Sequence, residues 1–325
     1  MSSHAQSKVS QVEKPRNVVS LLKGRIVIYV VFALVILMFM IFAPNYATVA
    51  NIEDIGRETA VVTITAVGMT FVIVSAEIDL SIGSVVSFTG LIAAMLMAAH
   101  VNWVFASLVA LVTGAGIGVV NGVITAYVGV PSFLVTLGTM EIFGGLAEML
   151  THSLPVPVSS VTFGNVFGDT PFLGIPDSIW WTVIVLFLGF VLLHRTIFGR
   201  WVFATGGNST AAKFVGIPTR RIKLLSFLVI GVLGALGGLI LAGRFGAGDP
   251  SVGNNMELDA IAACILGGTN LFGGKGTIVG TLIGSVFIGA VGVGMIMLGA
   301  GAELQVVVTG AIIVTAVAIN KITDR

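Results

Sequence analysis

The feature of this sequence that most constrains its fold is a succession of long apolar segments with almost no charge inside them. Only 10% of the 325 residues are charged, whereas soluble domains carry about 25%. Ten segments are candidates to span a hydrocarbon core of about 30 Å; they are 26–43, 59–76, 83–100, 104–127, 132–151, 179–194, 224–243, 258–272, 277–299 and 304–320. The pattern predicts an all-α membrane protein with about ten transmembrane helices. It excludes a soluble enzyme, and the net charge of +1 excludes a nucleic-acid-binding protein.

The distribution of basic residues predicts how these segments are oriented, because cytoplasmic loops carry an excess of Lys and Arg. With the N-terminus in the cytoplasm, every Lys and Arg except Arg57 and Arg244 lies on the cytoplasmic side. With one span fewer, a cluster of basic residues would lie on the external side of the membrane. We therefore expect both termini to be cytoplasmic, with tails at 1–25 and 321–325 around one transmembrane domain at 26–320.

Two of the predicted segments each allow two interpretations. The predicted external segment 152–178 has no Lys or Arg and four prolines, and it is either a solvated loop or a docking surface for an external partner. Span 258–272 is short and interrupted by Gly267-Gly268, so it is either a full crossing or a re-entrant helix. Discontinuous helices of that kind point to a transport path.

Glycines recur every four residues in two apolar segments. Gly114, Gly118 and Gly122 form one series, and Gly276, Gly280 and Gly284 form another. Small residues at this spacing allow helix backbones to approach closely in a membrane. We therefore predict that most of these glycines pack helices together rather than form a site.

The predicted cytoplasmic loop 195–223 contains the signature of one short helix. Asn208 can cap its N-terminus, Gly216 can take the left-handed position after its C-terminus, and Pro218 stops its continuation. Ala211 and Ala212 give it a smooth face. A helix of two turns is too short to be stable alone, so it docks either on its own bundle or on a cytoplasmic partner.

Four sequence runs resemble one family of transporters. The run GGNSTAAKFVGIP at 206–218 is similar to the GGN-x-x-AA-x-x-x-GI element of the sugar permeases of ATP-binding cassette (ABC) importers, which include ribose, arabinose and xylose permeases. SAEIDLSIGS at 75–84, PSFLVTLGT at 131–139 and ELDAIAACILGGTNLFGGKG at 257–276 resemble three further runs of that family. The resemblance covers nearly the whole chain after the first span.

The resemblance implies a non-catalytic permease subunit with the helix bundle of type II importers, in the inner membrane of a bacterium. Its implied partners are a second permease subunit, identical or closely similar, two cytoplasmic ATPases and an external sugar-binding protein. The short helix would be the coupling helix on the ATPase, and its implied contact residues are Gly207, Asn208, Ala211, Ala212 and Gly216.

We predict no catalytic residues, no metal site and no cofactor in this chain itself, so ATP and Mg²⁺ would bind to the partner ATPase. The nearest approach to a phosphate-binding loop is 273–276. It fails because Thr269 stands where the first Gly belongs and Gly276 stands where Ser or Thr must bind Mg²⁺.

Five residues are candidates for the substrate path. Asn121 and Thr125 lie one turn apart, and they either line a cavity or make interhelical hydrogen bonds. Glu141 and Glu148 share one face of a predicted span, where a charge facing lipid costs at least about 2.5–3.5 kcal/mol. They either line a modified cavity or make a polar interhelical contact. Asp79 either caps the following helix or touches cargo.

The resemblance favours a sugar or polyol as cargo, although relatives commonly carry Arg where this chain has Gly144. The alternatives are a permease of the related branched-chain amino-acid systems and an ion-coupled carrier that uses Glu141 and Glu148 as a proton relay. The sequence does not distinguish which sugar is carried.

Overall fold

The computed structural model describes residues 18–168 and 170–323. Residues 1–17 and 324–325 of the predicted tails lie outside this range. The helices are α1 (Val18–Phe42), α2 (Val49–Val74), α3 (Ile82–Ala98), α4 (Trp103–Val123), α5 (Ser132–Thr151), α6 (Val161–Phe167), α7 (Asp177–His194), α8 (Ile197–Gly207), α9 (Ser209–Phe214), α10 (Thr219–Phe245), α11 (Met256–Leu266), α12 (Ile278–Met297) and α13 (Ala302–Thr323). A π-helical turn, Ile124–Val128, prolongs α4.

Each of the ten predicted spans overlaps a helix, but the lengths differ. Within the described ranges, six helices are long and apolar enough to cross a membrane: α2, α4 with its π-helical turn, α5, α7, α10 and α12. The apolar parts of α1, α3 and α13 are shorter, and α11 has 11 residues. The structure therefore supports a multi-pass helical bundle and does not by itself establish ten crossings.

Two helices begin at least eight residues before their predicted spans. α2 begins at Val49, where the Thr48 side chain accepts a hydrogen bond from the backbone N–H of Asn51. Its first turns carry Glu53, Asp54 and Arg57. A search for apolar segments therefore did not include these turns in the predicted span. α1 begins at Val18, inside the segment predicted as a tail.

The predicted external segment contains short elements of its own. β1 (Val156–Pro157) pairs with β4 (Ala247–Gly248), and β2 (Pro171–Phe172) pairs with β3 (Ile175–Pro176), both antiparallel. α6 lies between these strands along the chain. Trp181 donates from Nε1 to the Val166 carbonyl at 2.9 Å, which fastens α6 to α7.

α4 and α10 pack backbone against backbone. A β-carbon at Gly118 would lie 2.2 Å from the Phe227 carbonyl oxygen, and one at Gly114 would lie 2.4 Å from that of Gly231. No L-side chain fits there without moving a helix. These contacts confirm that the glycine series 114–118–122 packs helices together.

The short helix α11 is preceded by a non-helical stretch of the chain. After β4 the chain runs back along α3, where the Gly253 N–H donates to the Ser87 hydroxyl at 2.8 Å. α11 begins three residues later, and Gly267, the residue after its last, contacts Gly280 of α12. The chain before α11 thus forms successive turns at 250–255 rather than a continuation of the helix.

Basic residues collect at one end of the bundle, which we call the basic end. The connections α7–α10 and α11–α12 meet there, since the Ile278 N–H donates to His194 Nε2 at 3.3 Å. This end carries Arg195, Arg200, Lys213, Arg220, Arg221, Lys223 and Lys275. Arg57 and Arg244 lie at the opposite end, where Arg244 pairs with Glu58 at 3.2 Å.

Candidate functional site

The short helix predicted from the sequence is α9, and its caps are those expected. The Asn208 side-chain oxygen accepts from the Ala211 N–H at 2.9 Å. Gly216 adopts a left-handed φ of 86°, which lets the Ile217 N–H reach the Ala212 carbonyl at 3.0 Å. Pro218 precedes the first residue of α10. The chain therefore passes from α9 into α10 through a connection closed by hydrogen bonds.

α9 presents an apolar tip to the outside of the bundle. Phe214 is 87% exposed and Val215 is 76% exposed. Among the five predicted contact residues, Gly207, Asn208, Ala211 and Gly216 are also exposed, whereas Ala212 is only 4% exposed. The Ala212 methyl group is covered by this chain itself, so it fixes α9 on the bundle rather than offering a surface.

Three of the sequence runs that resemble the sugar permeases meet at the basic end. The Gly274 N–H donates to the Val74 carbonyl at 2.9 Å, just before the run 75–84. A β-carbon at Gly206 would lie 1.8 Å from that same carbonyl oxygen. Glycine is thus required where α8, the end of α2 and the α11–α12 connection touch backbone to backbone.

The connection between α2 and α3 joins the fourth run to this junction. The Ile78 N–H donates to the Ser132 hydroxyl at 3.1 Å, and Thr136 Oγ1 donates to the Ile78 carbonyl at 3.4 Å. Both hydroxyls lie in the first turns of α5. The residues that resemble the family therefore form one contiguous structure rather than separate sites.

Asp79 and Asn121 serve this connection. One Asp79 carboxylate oxygen accepts from the N–H and the hydroxyl of Ser81 at 2.8 and 2.6 Å. Asn121 Nδ2 donates to the same hydroxyl at 2.9 Å. Asp79 is 2% exposed and Asn121 is 0% exposed. These hydrogen bonds hold the turn before α3 and link it to α4.

Thr125 lies in the π-helical turn beside Asn121. Its hydroxyl and Asn121 Oδ1 are buried, and neither has a hydrogen-bond partner among the described residues. π-helical turns occur frequently at functional sites, and an unpaired buried polar atom is costly.

Glu141 and Glu148 lie on an outer face of α5. Both are exposed, and so are Gly138 and Gly145, which complete a stripe at spacings of three and four residues. A β-carbon at Gly138, Gly144 or Gly145 would meet nothing within 4 Å. The structure thus leaves the predicted cavity residues uncovered, on the side of α5 away from its own bundle.

Two cavities lie elsewhere. One of about 820 Å³ lies between α1, α12 and α13, and its lining is almost wholly apolar. A second of about 200 Å³ is lined in part by Glu58, Asp259 and Thr309. Within the described residues, none of the five predicted substrate-path residues lines either cavity.

Comparison with known proteins decides the family. Residues 51–317 match the family described as branched-chain amino acid transport system / permease component. This chain belongs to that family. The permease is 39% identical to the ribose import permease protein RbsC of Escherichia coli (strain K12) over 283 residues, which cover 86% of this chain and 88% of that protein.

Two further relatives are named for other sugars. The permease is 34% identical to the L-arabinose ABC transporter permease protein AraH of Azospirillum brasilense, over 90% of this chain and 86% of that protein. It is 33% identical to the D-allose transport system permease protein AlsC of Escherichia coli (strain K12), over 91% of both chains. The resemblance drawn from the four sequence runs is confirmed.

Sequence reasoning missed several residues of this region in the permease. The run 206–218 contains Phe214 and Val215, but no feature of the sequence indicated that both side chains are exposed. Glu77 and Lys223 pair with each other across 146 residues of sequence. No local pattern could have joined them, because the contact depends on how α10 lies against α2.

Proposed function

We propose that this chain is a permease subunit of an ATP-driven importer and forms half of the path for a monosaccharide or related polyol. The observation that carries the proposal is the identity of 33–39% to ribose, arabinose and allose permeases over most of the chain. The chain would cross the bacterial inner membrane about ten times and would not itself hydrolyse ATP.

The basic end is the cytoplasmic end in this proposal. Positive residues are retained on the cytoplasmic side of membrane proteins, and the described basic residues concentrate there. With that orientation, α9 projects into the cytoplasm, the α1 and α13 termini lie on the same side, and the segment around α6 faces the external binding protein.

α9 is the coupling helix of the proposal. Its exposed Phe214 and Val215 offer an apolar tip for a groove on a cytoplasmic ATPase, which would hold ATP and Mg²⁺. Asn208, Gly207, Ala211 and Gly216 shape and flank that contact. Closure of the ATPases would then move α9 and, through the short connection at 216–218, the base of α10.

α5 provides the surface for the second permease subunit. Exposed carboxylates on an apolar helix cannot face lipid without a cost of at least about 2.5–3.5 kcal/mol each. A second subunit facing α5 would cover the stripe that contains Glu141 and Glu148 and would enclose a wet path between two copies. Carboxylates in such a path can accept hydrogen bonds from sugar hydroxyls.

Other cargo and energy sources remain as alternatives with specific support. The family description names branched-chain amino acids, but the relatives named above carry sugars in their names. A proton-coupled carrier is supported by the uncovered Glu141 and Glu148 alone. That carrier would work without an ATPase, so the two mechanisms separate in a reconstituted system.

The proposal is tested at the α9 tip. The double variant Phe214→Asp and Val215→Asp should lose co-purification of the ATPase and ATP-driven uptake, because charge replaces an apolar contact. Its folding should be unchanged, since both side chains are exposed. Leu173→Asp, which alters a 79% exposed apolar side chain in the β2–β3 turn, is the matched control. Retention of the ATPase by the double variant would refute the assignment of α9.

A further inference from the structure

The ion pair between Lys223 and Glu77 joins two parts of the basic end that are far apart in sequence. Lys223 lies in the second turn of α10, and Glu77 lies in the connection between α2 and α3. Lys223 Nζ donates to Glu77 Oε1, and the two side chains are only 22% and 11% exposed. At this burial the pair is screened by water and salt less than a fully exposed ion pair is.

On the Lys223 side, the pair leads back to α9. The Ile217 N–H bonds to the Ala212 carbonyl, and the Ile222 N–H bonds to the Pro218 carbonyl at 3.1 Å. Ala212, Thr219 and Ile222 are all buried. The chain from α9 to Lys223 is therefore held by hydrogen bonds and packing, and a displacement of α9 displaces the Lys223 ammonium group.

On the Glu77 side, the pair leads to α5. The Glu77 N–H bonds to the Val72 carbonyl at 3.1 Å, after Ala76 has taken a left-handed φ of 63°. The next residue, Ile78, binds the Ser132 and Thr136 hydroxyls at the start of α5 through both of its backbone polar groups. A displacement of Glu77 therefore acts on the helix that carries Glu141 and Glu148.

We propose that Lys223 and Glu77 are positioning residues that transmit movement of α9 to α5. The inference rests on the proposed function, because it assigns the path of a movement that the ATPase would start. Their charges link the base of α10 to the α2–α3 connection, so that ATP hydrolysis and opening of the path occur together.

The test measures coupling rather than activity alone. The complete importer, with both permease subunits, the ATPases and the binding protein, is reconstituted in vesicles. The probe is radiolabelled ribose, arabinose or allose, whichever the wild type accumulates fastest. Solute taken up per ATP hydrolysed is compared for wild type, Glu77→Gln, Lys223→Gln and the exchange Glu77→Lys with Lys223→Glu. Arg221→Gln, which changes an exposed basic residue two positions away, is the matched control.

Each single variant should keep its rate of ATP hydrolysis and lower the uptake per ATP by about fivefold, the lower range of coupling between sites. The exchange should restore the ratio, and Arg221→Gln should leave it unchanged. The inference is overturned if the single variants keep the wild-type uptake per ATP, or if hydrolysis and uptake fall in parallel. It is also overturned if the ATPase is lost from the complex, or if the charge exchange does not restore the uptake per ATP. A wild type without ATP-driven uptake would instead refute the proposed function.

Discussion

Two glycine-bearing helices of this molecule differ in what lies against them. On α4, Gly114 and Gly118 touch the backbone of α10 so closely that a β-carbon would lie 2.2–2.4 Å from a carbonyl oxygen. On α5, Gly138, Gly144 and Gly145 have nothing within 4 Å. The same residue type therefore closes the fold in one helix and leaves a surface open in the other, and only the open one carries carboxylates.

The difference between α4 and α5 distinguishes contacts that fold one chain from surfaces left for assembly with another. The α4–α10 contact is completed within one chain, so its glycines are explained by packing. The α5 stripe is apolar apart from Glu141 and Glu148, and it is uncovered in a single copy. A membrane protein with such a face needs another protein or water against it, which is why the proposed function places a second subunit there.

The largest effect is expected from a substitution at the α4–α10 contact. Gly118→Leu should destabilise the folded chain by about 3 kcal/mol, the upper end for overpacking, because the obstacle is backbone rather than a movable side chain. The measurement is thermal unfolding in detergent together with the monodisperse fraction. Gly116→Leu on the same helix, where a β-carbon meets nothing within 4 Å, should change stability little. Equal losses in both variants would contradict the packing account.

The next effect is expected on the open face. Gly145→Leu should leave the unfolding temperature of the chain unchanged but weaken association of two permease subunits by about tenfold, or 1.4 kcal/mol, because bulk keeps the helices apart. Cross-linking or single-molecule photobleaching across a range of lipid-to-protein ratios measures this. Gly116→Leu again serves as the control. Unaltered pairing would place the subunit contact somewhere other than α5.

The smallest effect concerns the carboxylates. The double variant Glu141→Gln and Glu148→Gln should lower the uptake rate by about fivefold, equivalent to one hydrogen bond of about 1 kcal/mol, with pairing and unfolding unaffected. The readout is initial uptake together with cargo preference. Glu53→Gln, which changes a partly exposed carboxylate that pairs with Arg57 on α2, is the control. Unchanged rate and preference would remove both residues from the path.

The sequence predicted what depends on local pattern. The capping of α9 by Asn208, its end at Gly216 and the overlap of ten apolar segments with helices follow from capping chemistry and apolar length. The polar first turns of α2 were not predicted, because Glu53, Asp54 and Arg57 interrupt the apolar pattern although they lie in helical turns.

The features that were not predicted from the sequence depend on contacts between helices that are far apart in the chain. Asn121 reaches the Ser81 hydroxyl, which Asp79 also binds, only because α4 lies against the start of α3. Glu77 meets Lys223 only because α10 lies against α2. The four-residue spacing of Gly114, Gly118 and Gly122 predicted that they pack helices together, but no pattern around Gly145 indicated that it would be uncovered.

The central claim is that this bundle has no energy source of its own and moves solute through the α9 contact with an ATPase. It is tested most directly by vesicles that contain the permease pair and binding protein with or without the ATPase, each given ATP and, separately, an imposed proton gradient. The account predicts uphill accumulation of sugar only with both the ATPase and ATP. Accumulation driven by the proton gradient in vesicles that lack the ATPase would contradict it.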